Sequence, residues 1–378
     1  MIDKVPFSKP DITNDDISAV VEVIKSGWLA HGKYSEMLEN IFCDYTGAKY
    51  ATTVSNCTAG LHLSCLASGF GINDEVIVPA QTHTATAHAI EYTQARPIFI
   101  DVDSISGNML VEKIESKISE KTKGIIPVHM AGYPCEMNIY EKLCRKHNLT
   151  LIEDCAHAIG TRIHNNHAGT FGTAGCFSFY PTKQITTGEG GIVISNDKNF
   201  IDRVKKLKAF GIDTPPELRI KPGVYDVQGL GYNYRMTDFQ AALGAGQMKR
   251  YENNLKSRHE NAYLYSINLK DNVDITFTGF TKDCSYFLFQ IILSENIDRD
   301  GVISFLNEKQ IGVSIHYATP VPLMSYYKQK YDYKAGDFPN AENYANRSIS
   351  LPVHQNLYED EILYVCESLV RSLEKFKL

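Results

Sequence analysis

Residues 123–156 read KGIIPVHMAGYPCEMNIYEKLCRKHNLTLIEDCA. Two apolar runs, 123–131 and 149–156, flank a segment at 138–148 in which Ile139, Leu143 and Cys144 share one face at helical spacing. The runs are near-continuously apolar rather than alternating, as suits strands covered on both faces. Strand, helix-length segment and strand make one βαβ unit, which predicts parallel pairing.

The same rhythm extends in both directions. Further runs are YATTVS (50–55), EVIVPA (75–80), RPIFIDVD (96–103), CFSFYP (176–181) and GIVISN (191–196). The helical segment 58–69 puts Leu61, Cys65 and Leu66 on one face. The seven runs predict an α/β domain built on a mostly parallel seven-stranded sheet. The rhythm breaks after about residue 235. Residues 236–265 read as one long helix opened by Thr237 or Asp238. A strand at 287–294, a helix at 300–310, a strand at 312–318 and a terminal helix at 359–377 follow. These make a smaller α+β unit. The expected boundary lies inside the long helix, giving a large domain over 1–250 and a small one over 251–378. No internal repeat or low-complexity linker interrupts the pattern.

The chain has 378 residues, enough for two domains with a large core. Its formal net charge of −6 speaks against a basic nucleic-acid-binding surface. No apolar run reaches the roughly 18 residues of a membrane helix, and the first residues show no secretory h-region. The nine cysteines are scattered and form no C-x-x-C pair. They read as free thiols in a reducing cytoplasm, where the N-x-S/T matches at Asn56, Asn148 and Asn346 carry no meaning.

In open parallel sheets, ligands sit beyond the carboxyl ends of the strands. Asn56-Cys57-Thr58-Ala59-Gly60 follows the first run and opens a helix. It is either an anion site made of free N–H groups or an ordinary N-cap by Asn56 or Thr58. Glu153-Asp154 ends a central apolar strand, where a carboxylate is costly unless it meets a cation. A pyridinium nitrogen is one such cation; a helix cap or a magnesium ligand are the alternatives. Lys183 lies in a turn between two core strands, among few other charges. A lysine desolvated there becomes a nucleophile toward an aldehyde, and Ser178 and the 186–191 loop (TTGEGG) can support the same site. His157, His164 and His167 fit no standard zinc spacing. Neither a P-loop nor a G-x-G-x-x-G after a strand is present, so no metal and no dinucleotide is expected.

Taken in order, SGWLAHGKYSEMLENIF (26–42), VSNCTAGLHL (54–63), DEVIVPAQTHTATAHAI (74–90), IIPVHMAG (125–132), LIEDCAHAIG (151–160), FSFYPTKQITTGEGG (177–191), GLGYNYRMTDFQAALG (229–244) and SIHYATPV (314–321) resemble the DegT/DnrJ/EryC1/StrS sugar aminotransferases. The resemblance covers nearly the whole chain. It implies the fold type I architecture of pyridoxal 5′-phosphate (PLP) enzymes, with the pyridoxamine form (PMP) as intermediate. Lys183 then matches the Schiff-base lysine and Asp154 the partner of the pyridine nitrogen. His157 matches the residue beside the ring hydroxyl. Thr58 and Ala59 match the phosphate-binding turn, with Ser178 also on the phosphate. Asn233 matches an asparagine that reaches the phosphate in the neighbouring subunit, so the resemblance implies a homodimer with shared sites. His83 stands where the family usually stacks Phe, Tyr or Trp on the cofactor ring. Trp28, His316 and Tyr317 resemble positions near the sugar.

The activity so implied moves an amino group from L-glutamate, which leaves as 2-oxoglutarate, to a keto group of a nucleotide-linked sugar. The expected setting is cytoplasmic, in surface polysaccharide (lipopolysaccharide, O-antigen) or glycan biosynthesis. QITTGEGG after Lys183 leans toward C4 of a 4-keto-6-deoxy sugar; C3 amination is the alternative within the family. A sub-branch that replaces the lysine with histidine and dehydrates its sugar does not match Lys183. A non-catalytic scaffold on the same fold would need the cofactor residues decayed, whereas Asp154, Lys183, Ser178 and Asn233 are all present.

Overall fold

The computed structural model describes residues 2, 4–30, 32–213, 221 and 223–378. All seven apolar runs form one sheet. Its strands are β1 (Tyr50–Val54), β2 (Glu75–Pro79), β3 (Arg96–Ile100), β4 (Thr122–Ile125), β5 (Thr150–Asp154), β6 (Ala174–Ser178) and β7 (Gly191–Ser195), in the order β1-β7-β6-β5-β4-β2-β3. Only β7 runs antiparallel to its neighbours. Successive residues enter opposite cores. Ile77 and Leu151 pack on one face of the sheet, and Val76, Val78 and Ile152 on the other. Two buried faces are why the strands read as unbroken apolar runs, and each such side chain contributes roughly 1.5–3 kcal/mol.

Helices cover both faces. They are α1 (Asn14–Ser26), α2 (Lys33–Thr46), α3 (Cys57–Ala67), α4 (Thr84–Glu91), α5 (Met137–His147), α6 (Lys198–Leu207) and α7 (Asp238–Lys249). A Thr13–Asp16 capping box opens α1 and a left-handed Gly27 ends it. In α5 the deepest residues are Met137, Tyr140 and Cys144. In α3 every residue is buried except Thr58 and Leu66, because sheet, α4 and α6 surround it. The predicted stripe therefore understates its burial.

The long helix expected over 236–265 is two helices. α7 is opened by Thr237 in a capping box with Gln240, and α8 (Tyr251–Leu269) follows. The break falls at Arg250, whose backbone leaves helical values. Its guanidinium binds Asp11 and Asp16, so a tertiary ion pair overrides the continuous periodicity. Beyond it, β8 (Ile275–Thr276), β9 (Phe289–Leu293) and β10 (Ser348–Leu351) form a second, antiparallel sheet in that order. Helices α8, α9 (Arg299–Glu308) and α10 (Glu359–Lys375) belong to the same unit, with Ile291, Leu293, Ile349, Val365 and Leu369 in its core. The strand expected at 312–318 is absent. Ile311 and Ser314 make single bridges to Val5 and Ser350 and the pairing stops there, since the following carbonyls of His316 and Tyr317 are taken by the side chains of Gln290 and Gln81. Among the described residues, no helix is long and apolar enough to cross a membrane.

Candidate active site

The parallel strands β1, β5 and β6 end on one edge of the sheet, and a cavity of about 670 Å³ opens beyond them. Of the residues singled out from sequence, Thr58, Ala59, His83, Asp154, His157, Ser178, Lys183, His316 and Tyr317 line it. Asn233 and Trp28 do not. Asn233 is exposed in an isolated bridge with Ala209, and Trp28 is 63% exposed. At that exposure Trp28 is not a core residue either.

The strand period of two decides between the paired carboxylates. Asp154 points into the cavity. Its Oδ2 accepts from Thr86 Oγ1 at 2.7 Å and its Oδ1 from the Ala156 N–H at 3.1 Å. Burial pushes its proton affinity up, against those two bonds and the charge of Lys183. Glu153 points to the opposite face. Its oxygens accept the N–H groups of Gly169, Phe171 and Gly172 at 2.7–2.9 Å. His129 Nδ1 accepts the Cys135 N–H, so Nε2 carries the proton and donates to Glu153. This carboxylate staples the 169–172 loop to the sheet. With His129 and Cys155, Glu153 forms the one His/Cys/carboxylate cluster of metal-binding compactness among the described residues.

Because β7 runs antiparallel to β6, residues 179–190 join two adjacent strands directly, and this loop carries Lys183. Helix α7 clamps the loop: Gln247 bonds both backbone groups of Thr186, and Gln240 donates to the Glu189 carbonyl. Gln184 donates to the carbonyl of His157, tying the lysine turn to the β5 turn. The Lys183 amine lies 4.2 Å from the Phe287 ring centroid and makes no hydrogen bond among the described residues. Burial depresses it to about 8, against the pull of Cys57 and Asp154. A fraction of the amine is therefore unprotonated near neutral pH.

His157 stacks on Phe287 with centroids 4.3 Å apart. Its Nδ1 accepts the Ala131 N–H, which leaves the proton on Nε2, 3.2 Å from the Tyr317 hydroxyl. Burial and the nearby Lys183 keep this imidazole neutral. The Tyr317 hydroxyl thus accepts from His157 and retains its own proton to donate. His316 bonds Ser350 through Nδ1, and burial lowers it to about 3. His83 caps α4, its Nδ1 accepting the Ala85 N–H at 3.1 Å. A Phe, Tyr or Trp ring has no such acceptor, so imidazole adds a fixed orientation to the ring face.

At the start of α3 the two sequence readings coexist. Asn56 Oδ1 caps the Ala59 N–H at 2.8 Å. The N–H groups of Cys57 and Thr58 have no intrahelical partner and belong to cavity-lining residues beside Ser178. Gly191 permits this approach: a Cβ there would lie 2.7 Å from the Cys57 nitrogen. An amine for an aldehyde, a carboxylate for a ring nitrogen, and N–H groups with a hydroxyl for a phosphate are a donor set that fits pyridoxal phosphate.

Sequence reasoning missed Phe287, Gln184, Gln81, Thr82 and Thr86. Phe287 sits at the entry to a predicted strand, and the threonines lie in the segment quoted for the family resemblance, but no local pattern marks any of them.

Known proteins are similar to this chain over nearly its whole length. Residues 10–370 match the family described as the DegT/DnrJ/EryC1/StrS aminotransferase family. GDP-perosamine synthase of Escherichia coli O157:H7 is 37% identical over 97% of this chain and 97% of its own. Spore coat polysaccharide biosynthesis protein SpsC of Bacillus subtilis is 35% identical over 98% and 97%. Among solved structures, Spr1654 of Streptococcus pneumoniae in its PMP form superposes with a TM-score of 0.92, at 28% identity over 98% of this chain and 100% of that one.

Proposed function

Because the chain belongs to the DegT/DnrJ/EryC1/StrS aminotransferase family and is a pyridoxal-phosphate-dependent transaminase of fold type I, we propose that it transfers the amino group of L-glutamate to the C4 keto group of a nucleotide-linked 4-keto-6-deoxy sugar. The observation that carries this reading is the convergence of the Lys183 amine, the Asp154 carboxylate and the open start of α3 on one cavity. The nucleotide-sugar name of the Escherichia coli relative and the polysaccharide role named for the Bacillus relative support the substrate class.

When bound, pyridoxal phosphate supplies an aldehyde to carry the amino group and an electron-withdrawing ring. The chain does the rest. Cys57 and Thr58 N–H, with Ser178 Oγ, bind the phosphate and fix the register of the ring. Asp154, through the free lone pairs of Oδ1 and Oδ2, holds a proton on the ring nitrogen. Lys183 Nζ would take the proton from the donor's amino-bearing carbon and deliver it to the former aldehyde carbon of the cofactor, as a positioned base of depressed pKa can. Phe287 covers one side of Nζ and of His157 and shields that side from water. Tyr317 and His316 meet the sugar from the small unit. Trp28 has no part in this cavity within one chain.

We also read the enzyme as a homodimer in which Asn233 completes the phosphate site of the partner subunit. Ile17, Val21 and Ile24 on α1, with Trp28 and Leu29, expose an apolar face suited to such a contact. The division between the two units is placed at Arg250. All nine cysteines are free, which suits a cytoplasmic enzyme.

The test is to offer L-glutamate with a panel of nucleotide-linked keto sugars, a GDP-linked 4-keto-6-deoxy sugar first. The product is then identified by mass and proton NMR. A 4-amino sugar with equimolar 2-oxoglutarate is expected. Product aminated at C3, or no turnover of any 4-keto substrate, overturns the C4 assignment.

A further inference from the structure

The segment that leads from β2 into the first turn of α4 reads Thr82-His83-Thr84-Ala85-Thr86. Thr86 and Thr82 are buried, with at most 1% of their surface exposed. Thr86 Oγ1 lies 2.7 Å from Asp154 Oδ2, and Thr82 Oγ1 lies 2.8 Å from Thr86 Oγ1. We propose that Thr86 is a positioning residue for transamination, oriented by Thr82 and by the His83-capped turn so that it holds the Asp154 carboxylate ionised and aimed into the cavity. The proposal rests on the reading of Asp154 as the partner of the cofactor's ring nitrogen.

The polarity of the chain follows from proton counting. An ionised carboxylate only accepts, and a threonine hydroxyl has one proton. The Thr86 proton is therefore committed to Asp154, and Thr82 must donate to Thr86. Such a chain polarises each bond in the same sense. The backbone holds it in place. The Thr86 N–H donates to the His83 carbonyl and the Ala85 N–H to His83 Nδ1, so both groups of His83 fix the first turn of α4. The branched Thr86 side chain then has few rotamers. With the Ala156 N–H on Oδ1, the carboxylate cannot rotate without breaking a bond at each oxygen.

The titratable groups around Asp154 are Lys183, His83, Cys57, Cys155, Cys176 and Tyr317. Of these only Lys183 and His83 favour its charge, and burial opposes it. Hydrogen bonds from Thr86 and Ala156 therefore supply what the charges around it do not.

The experiment loads wild type, Thr86→Val, Thr86→Ser, Thr82→Val and Asp154→Asn with ring-labelled pyridoxal phosphate. It reads the nitrogen NMR resonance of the ring and the cofactor dissociation constant. Losing the Thr86 hydrogen bond makes Asp154 the better base, so the shared proton moves from ring nitrogen to carboxylate. For Thr86→Val the resonance should move toward its unprotonated position and affinity should fall about ten- to a hundredfold. The turnover number should fall while the KM for the amino donor changes little. Thr86→Ser, which keeps the hydroxyl, should restore both readouts. Thr82→Val should move them the same way by less.

Wild-type resonance and affinity in folded Thr86→Val overturn the proposal. If that variant does not fold, an unmoved resonance in Thr82→Val overturns it instead. Asp154→Asn without effect would defeat the underlying reading of Asp154. An effect there, with none in Thr86→Val, defeats only the role of Thr86.

Discussion

Glu153 and Asp154 are adjacent on β5, equally buried and chemically alike, yet they face different worlds. Glu153 meets three backbone N–H groups and an imidazole N–H, all fixed by the fold. Asp154 meets one hydroxyl and one N–H, and the rest of its acceptor capacity faces a cavity. A satisfied buried carboxylate holds structure together, and an under-satisfied one is held ready for a ligand. The difference between them is the half-turn of a pleat.

The largest effect expected on the cavity side is that of Lys183→Ala. It should keep the wild-type unfolding midpoint while turnover falls by about 10⁴-fold or more, and borohydride should no longer trap cofactor on the chain. Adduct found on another residue would break the cavity side of the contrast. Mixing this variant with Asn233→Ala should restore about a quarter of the wild-type sites, since only one site of each mixed dimer is whole. No recovery would remove Asn233 from the partner's site.

On the sealed side, Glu153→Ala leaves four donors buried without partners. It should lose about 3–5 kcal/mol of stability in urea unfolding, and Asp154→Ala much less. Equal losses would erase the distinction. The smallest effect is a titration. Burial disfavours the charged amine, so the neutral form of Lys183 appears at lower pH than in an ordinary lysine. In apoprotein, acylation of this amine should rise with pH and level off above about 8. A midpoint near that of a surface lysine, roughly 10.4, would mean that water reaches Nζ.

The strands of the large sheet were legible because burial on both faces writes apolar runs into the sequence. Lys183 was legible because a lone charge between core strands is costly. Which of two neighbouring carboxylates faces the ligand was not legible, since periodicity does not say which face of a sheet carries the cavity. The break at Arg250 depends on Asp11 and Asp16, far away in the chain, and local periodicity ran straight through it. The missing strand at 312–318 failed for the same reason: glutamines from two distant segments take the carbonyls that a ladder would use. Thr82, Thr86 and Gln184 look like any loop or helix residues until their partners are known. In the sequence His83 stood out only as a departure from the family's usual Phe, Tyr or Trp, and the cap on α4 shows what imidazole adds.

Val5 lies against the small unit, its N–H on the Gln310 carbonyl and its own carbonyl on the Gly312 N–H, before the chain passes to α1 on the large one. That leading segment and the Arg250 joint have company: the Val321 N–H donates to the Ala80 carbonyl, and Val321, Tyr327, Phe338 and Ala341 share a core with Val78 and Phe99 of the large sheet. A wall laced to its frame at several points does not swing freely, so any breathing of the cleft would have to loosen Val5 and the 321–341 stretch together.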